Sequence, residues 1–215
     1  MSIKAVLFDL DNTLIDFIKM KKEACRSAVK AMRKVGLKID EKTCLEKLMD
    51  IYYRIGLESD VAITTFLKEL TGKVDENILQ AGINGYLKAK PNFLKPYPYV
   101  LETLEMLKSQ GLKLGIITDA KREKALQRLD AMNITRFFDI IVTYTESKVK
   151  KPDPLPFKLA MKKLDLGPRD ILFVGDSLRR DIEPAKKLRM QTLLIKTYED
   201  LKKIKNYFHF SFDKT

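Results

Sequence analysis

The stretch "VLFDLDNTL" (residues 6–14) places two acids, Asp9 and Asp11, directly after a short apolar run. Residues 3–8 are mostly apolar and include β-branched types, which predicts a buried strand. Two carboxylates separated by one leucine repel each other, so at least one carboxyl pKa must rise or a cation must lie nearby. Packing does not explain such a pair at the end of a strand, so the rest of the sequence must hold the groups that use it.

The sequence after residue 99 alternates between strand-like and helix-like segments. Apolar strands are predicted at 112–118, within 137–144, at 170–177 and at 192–196. Helices are predicted at 99–110, 120–133, 155–165 and 179–189. Because strands that alternate with helices pair in parallel through right-handed crossovers, the predicted fold class is α/β.

Residues 16–90 differ, because their apolar positions recur at helical spacing throughout. Four helices are predicted there, and Gly82 and Gly85 weaken the fourth. The expected caps are Asp40 and Asp60 at helix starts and Gly36 and Gly72 at helix ends. Three prolines in "PNFLKPYPY" (91–99) then mark a linker. The helical block is therefore an insertion after the first strand, and a last amphipathic helix is predicted within 201–210.

Composition limits the classes of function. A chain of 215 residues with 45% apolar residues should fold, and it has no apolar run of the ~18 residues that a membrane span needs. The first residues lead straight into a strand, so no signal peptide is expected and the cytoplasm is the predicted location. Cys25 and Cys44 make neither a zinc site nor a disulfide framework. The single histidine, His209, argues against a serine–histidine–acid triad.

The formal net charge of +12 is spread over most helical segments. Such a charge is typical of a well-solvated surface, and it also attracts anions, either nucleic acid or small phosphorylated metabolites. No zinc finger, recognition helix or ribonucleoprotein motif is present, so nucleic acid ranks second as a partner. Monomer and dimer are both open.

Polar residues stand where the predicted strands end. They are Asp9 and Asp11, Thr118 and Asp119, Lys151, and Asp176 with Ser177 and Asp181. Because ligands of open parallel sheets bind at the carboxyl ends of strands, these side chains are expected to share one edge. Their joint placement is hard to explain by folding alone.

These residue types together suit phosphoryl chemistry. Carboxylates at Asp9 and Asp176 offer the oxygen ligands that Mg²⁺ prefers. Thr118 can donate to a phosphate oxygen, and Lys151 can neutralise phosphate charge. A carboxylate beside the phosphorus can attack it to form an aspartyl-phosphate, while a second carboxylate carries the proton to the leaving group and later takes one from water.

Four motifs in order resemble those of the haloacid dehalogenase-like (HAD) hydrolase superfamily. They are Asp9-Leu10-Asp11-Asn12-Thr13-Leu14, Thr118-Asp119, Lys151-Pro152-Asp153-Pro154 and Gly175-Asp176-Ser177-Leu178 with Asp181. The resemblance implies a Rossmann-like parallel sheet with strand order 5-4-1-2-3 and an all-helical cap inserted after the first strand. We expect the core at 1–15 and 93–215 and the cap at 16–92. The sequence is also similar to archaeal glyceraldehyde 3-phosphate phosphatase-like members.

The resemblance also implies a role for each motif residue. Asp9 is expected to be the nucleophile and Asp11 the general acid/base, with Thr118 and Lys151 on the phosphoryl group. Mg²⁺ is expected on Asp9, the Asp11 backbone carbonyl and Asp176. From the residues themselves, Asp181 is expected to support these ligands, with a favourable acid in the first turn of a helix as the alternative. Ser177 either supports the metal site or caps the helix that follows. Dehalogenases of the superfamily lack an acid two residues after the nucleophile, so Asp11 favours phosphoryl transfer.

Two departures and two rival functions accompany this interpretation. Pro184 and Arg189 stand where similar proteins often have glycine, so we expect a locally altered turn or helix without lost chemistry. The leading function is a Mg²⁺-dependent phosphatase for small phosphorylated metabolites. The alternatives are a sugar phosphomutase of the same superfamily and a non-catalytic, basic nucleic-acid-binding protein on this scaffold.

Overall fold

The computed structural model describes residues 3–204. The described residues divide into two compact units, one made of residues 3–16 and 95–204 and the other of Phe17–Leu94. We refer to them as the α/β unit and the helical unit. Among the described residues, no helix has both the length and the apolar character needed to cross a membrane.

One parallel sheet forms the centre of the α/β unit. Its strands are β1 (Ala5–Phe8), β2 (Lys113–Ile117), β3 (Ile140–Val142), β4 (Ile171–Gly175) and β5 (Gln191–Leu194). They lie in the order β3-β2-β1-β4-β5, which confirms the predicted order 5-4-1-2-3 from the opposite edge. All four residues of β1 are buried, as expected for a central strand covered on both faces. Its carboxyl end therefore lies between those of β2 and β4.

Nine α-helices lie within residues 3–204, and residues 202–204 are also helical. The nine are α1 (Phe17–Lys34), α2 (Glu41–Ile55), α3 (Ala62–Thr71), α4 (Glu76–Ala89), α5 (Val100–Ser109), α6 (Arg122–Ala131), α7 (Tyr144–Ser147), α8 (Leu155–Leu164) and α9 (Glu183–Lys187). Short 3₁₀ turns occupy Lys90–Phe93, Thr135–Phe137, Pro168–Asp170 and Tyr198–Leu201. The predicted linker at 91–99 thus begins with a turn, and α7 has no counterpart in the predictions. The rest of the predicted terminal helix, with His209, lies outside the described residues.

The helical unit has its own apolar core around α1–α4, which includes Ala28, Met32, Phe66 and Tyr52. Asp40 caps α2 as predicted, because its side chain accepts the Thr43 amide at 2.9 Å. The predicted cap Asp60 is wrong. Helix α3 begins at Ala62 after Val61, whose amide donates instead to the Ser59 hydroxyl at 3.3 Å.

The glycines of α4 do not interrupt it. A Cβ atom on Gly85 would lie 2.8 Å from the Ala31 Cβ and 2.8 Å from the Ser27 carbonyl oxygen, both on α1. The expected propensity cost is therefore offset by a close helix–helix approach that a larger residue would prevent.

The segment after β4 is wider than an ordinary helix start. Leu178–Ile182 form a single π-helical turn, in which the Ile182 amide donates to the Ser177 carbonyl at 3.2 Å. Such turns often occur at functional sites. The two positions at which similar proteins often have glycine follow this turn. Pro184 lies in the first turn of α9, and Arg189 has φ of 69°, the left-handed conformation that glycine favours.

Candidate active site

The carboxyl edge of the sheet brings together the acids that the sequence placed there. Oxygen atoms of Asp9, Asp176 and Asp181 all lie within 4.8 Å of one another. Asp9 follows β1 and Asp176 follows β4, the neighbouring strand, so parallel pairing alone accounts for their proximity. The π-helical turn then carries Asp181 back to the same edge.

Lys151 lies inside this cluster. Its Nζ is 2.6 Å from Asp9 Oδ1 and 2.6 Å from Asp181 Oδ1, and it also donates to the Ile117 carbonyl at 3.1 Å. Residues with so little exposure rarely carry charge unless they are paired. Burial alone would lower the pKa of Lys151, but the charges of Asp9 and Asp181 raise it well above its usual value. The lysine is therefore a cation at neutral pH.

Each Asp9 oxygen has a partner. Oδ1 pairs with Lys151, and Oδ2 accepts the Thr13 hydroxyl at 3.1 Å. Burial raises the pKa of Asp9 and Lys151 opposes that rise. The Thr13 hydroxyl therefore binds the Asp9 carboxylate and orients it.

Asp176 is held less tightly. Its Oδ1 is buried and accepts no hydrogen bond from the described residues, although Arg180 Nη2 lies 3.8 Å away. Burial, with the charges of Asp9 and Asp181 nearby, raises the pKa of Asp176 to about 7. A buried acceptor without a donor carries a free-energy cost, which a bound cation removes.

Asp181 is fully buried and both of its oxygens are used. Oδ1 pairs with Lys151, and Oδ2 accepts the Ser177 amide at 2.9 Å. A Cβ atom on Gly175 would lie 2.6 Å from the Asp181 Cβ, so glycine is required at the end of β4 for this approach. The Ser177 hydroxyl meanwhile accepts the Arg180 amide at 3.2 Å, an N-cap contact.

Thr118 and Asp119 follow β2 at the same edge. Thr118 is nearly inaccessible, and its hydroxyl accepts the Ala120 amide at 3.2 Å. The Asp119 carboxylate contacts the loop that carries Lys151. Its Oδ1 accepts the backbone amide of Lys151 at 2.8 Å, so it anchors the loop that presents the lysine.

Asp11 has a partner that the sequence did not reveal. Its Oδ2 lies 2.8 Å from Nη1 of Arg128, a residue of α6 whose side chain is 1% exposed. Arg128 lies 117 positions away in the chain and belongs to none of the four motifs. The other buried residues of α6 are the apolar Ala125 and Leu129, so the sequence offers only an arginine among apolar positions as a signal.

Comparison with known proteins agrees with this geometry. Residues 6–195 match the model of the haloacid dehalogenase-like hydrolase family. The chain belongs to this family. The predictions of a HAD-like hydrolase and of an α/β Rossmann-like fold are confirmed.

Named relatives span most of the chain. The glyceraldehyde 3-phosphate phosphatase of Methanocaldococcus jannaschii is 38% identical over 193 residues, covering 90% of this chain and 85% of the relative. The phosphoglycolate phosphatase of Aquifex aeolicus is 32% identical over 192 residues, covering 89% and 84%. The crystal structure of a HAD phosphatase from Thermococcus onnurineus has a TM-score of 0.65 and 27% identity, covering 90% of this HAD-like chain and 86% of that one.

Proposed function

We propose that this HAD-like chain is a Mg²⁺-dependent phosphatase that hydrolyses small phosphorylated metabolites through an aspartyl-phosphate on Asp9. The observation that carries the proposal is the cluster of Asp9, Asp176 and Lys151 at the end of the central strand. The named phosphatase relatives support the same reaction class. Cytoplasmic location and a monomer or dimer stay predictions.

The acidic cluster fits a hard divalent cation. Asp9 and Asp176 offer carboxylate oxygens, and Asp176 Oδ1 is a buried acceptor to which none of the described residues donates. Asp181 is fully buried, with Oδ1 on Lys151 and Oδ2 on the Ser177 amide, and in this proposal it orients these two groups. The Asp11 carbonyl is the remaining proposed ligand. When bound, Mg²⁺ neutralises charge on the phosphoryl group and its neighbouring carboxylates.

The chain's own residues divide the reaction between them. An oxygen of Asp9 attacks phosphorus, the bond from phosphorus to the ester oxygen breaks, and Asp11 gives that oxygen a proton. Water then attacks the phosphorus of the aspartyl-phosphate and loses a proton to Asp11, which releases inorganic phosphate and the Asp9 carboxylate. Lys151 and Thr118 hold the phosphoryl oxygens, and Thr13 keeps Asp9 oriented.

A panel of phosphate monoesters tests the proposal. Glyceraldehyde 3-phosphate and phosphoglycolate belong in it because relatives are named for them. We expect inorganic phosphate to appear with Mg²⁺, to stop with excess chelator and to resume when Mg²⁺ is restored. Full activity in metal-free buffer contradicts the metal requirement.

The same panel separates the rival functions. A mutase would convert one sugar phosphate isomer into another with little free phosphate released. A nucleic-acid-binding protein would show no turnover and an affinity for DNA or RNA that falls steeply with salt. Either result replaces the phosphatase assignment.

A further inference from the structure

Burial of the arginine of α6 is energetically unfavourable unless its guanidinium is paired. Arg128 is the largest fully buried side chain among the described residues, and its exposure is 1%. Moving a guanidinium from water into a protein interior carries a large desolvation penalty. An arginine that only filled space in α6 would be less favourable than leucine or methionine of similar size. Its burial therefore points to the group that it contacts.

The Asp11 carboxylate is a partner of this guanidinium within the described part of the chain. Nη1 of Arg128 lies 2.8 Å from Asp11 Oδ2, and the Asp11 side chain is 23% exposed. The ion pair thus joins a buried cation to an aspartate side chain that keeps part of its surface accessible to solvent. A guanidinium is planar and fixes the orientation of a carboxylate more strictly than an ammonium does.

We propose that Arg128 is a positioning residue that holds the Asp11 carboxylate in the orientation needed for proton transfer. This inference rests on the proposed function, in which Asp11 is the general acid/base. The two aspartates of the first motif would then each have a buried cation of their own, Lys151 for Asp9 and Arg128 for Asp11. Arg128 itself does not touch the reacting atoms in this proposal.

Arg128→Met removes the charge and the hydrogen-bonding fork but keeps most of the apolar stem. We expect kcat to fall about 10- to 100-fold, because small displacements of a catalytic group are that costly, with little change in KM. The loss in the first step should be larger for an alkyl phosphate, which needs its leaving oxygen protonated, than for p-nitrophenyl phosphate. Arg128→Lys keeps the charge and should recover part of the loss.

A double-mutant cycle distinguishes positioning from general support of the fold. If Arg128 acts through Asp11, adding Arg128→Met to a protein that already carries Asp11→Asn should lower kcat by less than about threefold. Arg122→Met is the matched control, because it removes an exposed ion pair with Glu146 from the same helix. It should leave kcat unchanged in both backgrounds.

Each result decides a different point. Equal losses from Arg128→Met in both backgrounds, or equal losses for aryl and alkyl esters, would overturn the positioning role. Full activity of Arg128→Met beside an impaired Asp11→Asn would also overturn it. Full activity of Asp11→Asn would instead remove the proposed role of Asp11. If Arg128→Met does not fold, the same cycle with Arg128→Lys, with each fold checked by thermal unfolding, gives the decision.

Discussion

At the carboxyl edge of the sheet, Asp9, Lys151 and Asp181 are all at most 5% exposed, and they contact one another through charges. Helices α1 and α4 of the helical unit contact each other through small and apolar groups, with Gly85 against Ala31 and Gly82 against Met32. The apolar contact is stabilising because it removes apolar surface from water. The ion cluster must overcome a desolvation cost. It holds three acids with the buried Lys151 and the partly exposed Arg180, so negative charge remains that a cation can offset. The two regions should therefore respond differently to substitution.

The largest expected effect concerns activity at the ion cluster. Asp9→Asn should lower turnover by on the order of 10⁴-fold or more, because an amide cannot attack phosphorus. Stability should hold or rise, since Lys151 keeps Asp181 as a partner and one buried negative charge is gone. Phosphate release and thermal unfolding measure the two effects.

Activity near that of the unchanged protein would place the nucleophile elsewhere. The control is Asp153→Asn, which changes an exposed acid outside the cluster. Among the hydrogen bonds of the described residues, the Asp153 side chain accepts only that of the Leu155 amide, at 2.8 Å. The turnover of Asp153→Asn should be unchanged.

The next effect concerns stability at the same cluster. Lys151→Met leaves Asp9 and Asp181 buried without their shared cation, and breaking a buried pair in this way typically costs about 3–5 kcal/mol. Denaturant unfolding measures the loss. The control, Lys108→Met, removes an exposed ion pair with Asp139 and should cost about 0–1 kcal/mol. Equal losses of unfolding free energy in the two variants would mean that the buried ion pairs contribute no more to stability than an exposed one.

Sequence reasoning succeeded where topology alone decides position. Asp9, Thr118 and Asp176 follow strands that pair in parallel, so their meeting at one edge followed from the order of elements. Lys151 was identified because proline follows it in a recognisable motif, and its side chain does reach Asp9.

Contacts between side chains that lie far apart in the sequence could not be predicted from the order of the elements. The pairing of Arg128 with Asp11 depends on the rotation of α6, and the bond from Asp119 to the Lys151 amide depends on the path of a loop. Neither leaves a periodic pattern in the chain. The glycines of α4 looked unfavourable because local propensity was visible in the sequence, whereas the close contact with α1 was not.

A smaller effect is expected from pH in the metal-free protein. The pKa of Asp176 is raised to about 7 when folded, from a usual value near 4, so the folded state binds the proton more tightly. Stability should therefore fall as pH rises from about 4 to about 7. Thermal unfolding in chelator across this range measures the slope.

Asp176→Asn should flatten that slope, because it removes the titrating group without removing its neighbours. Saturating Mg²⁺ should restore stability at the upper end of the range, since it binds the ionised carboxylates. An identical slope in Asp176→Asn would show that other groups cause the dependence.

The smallest effect is expected in the helical unit, from Gly85→Ala. Alanine favours helix by up to about 1 kcal/mol over glycine, which alone would stabilise α4. The added Cβ, however, would lie 2.8 Å from both the Ala31 Cβ and the Ser27 carbonyl oxygen, so α1 and α4 must separate. Overpacking of this kind typically costs about 1–3 kcal/mol, which leaves a net loss of about 1 kcal/mol. Asn84→Ala, at the exposed neighbouring position of the same helix, gains the propensity without the contact and should be neutral or stabilising. Denaturant unfolding of both variants provides the measurement. If Gly85→Ala stabilises the protein as much as Asn84→Ala does, the helices can separate at no cost, and close approach is not what requires glycine at this position.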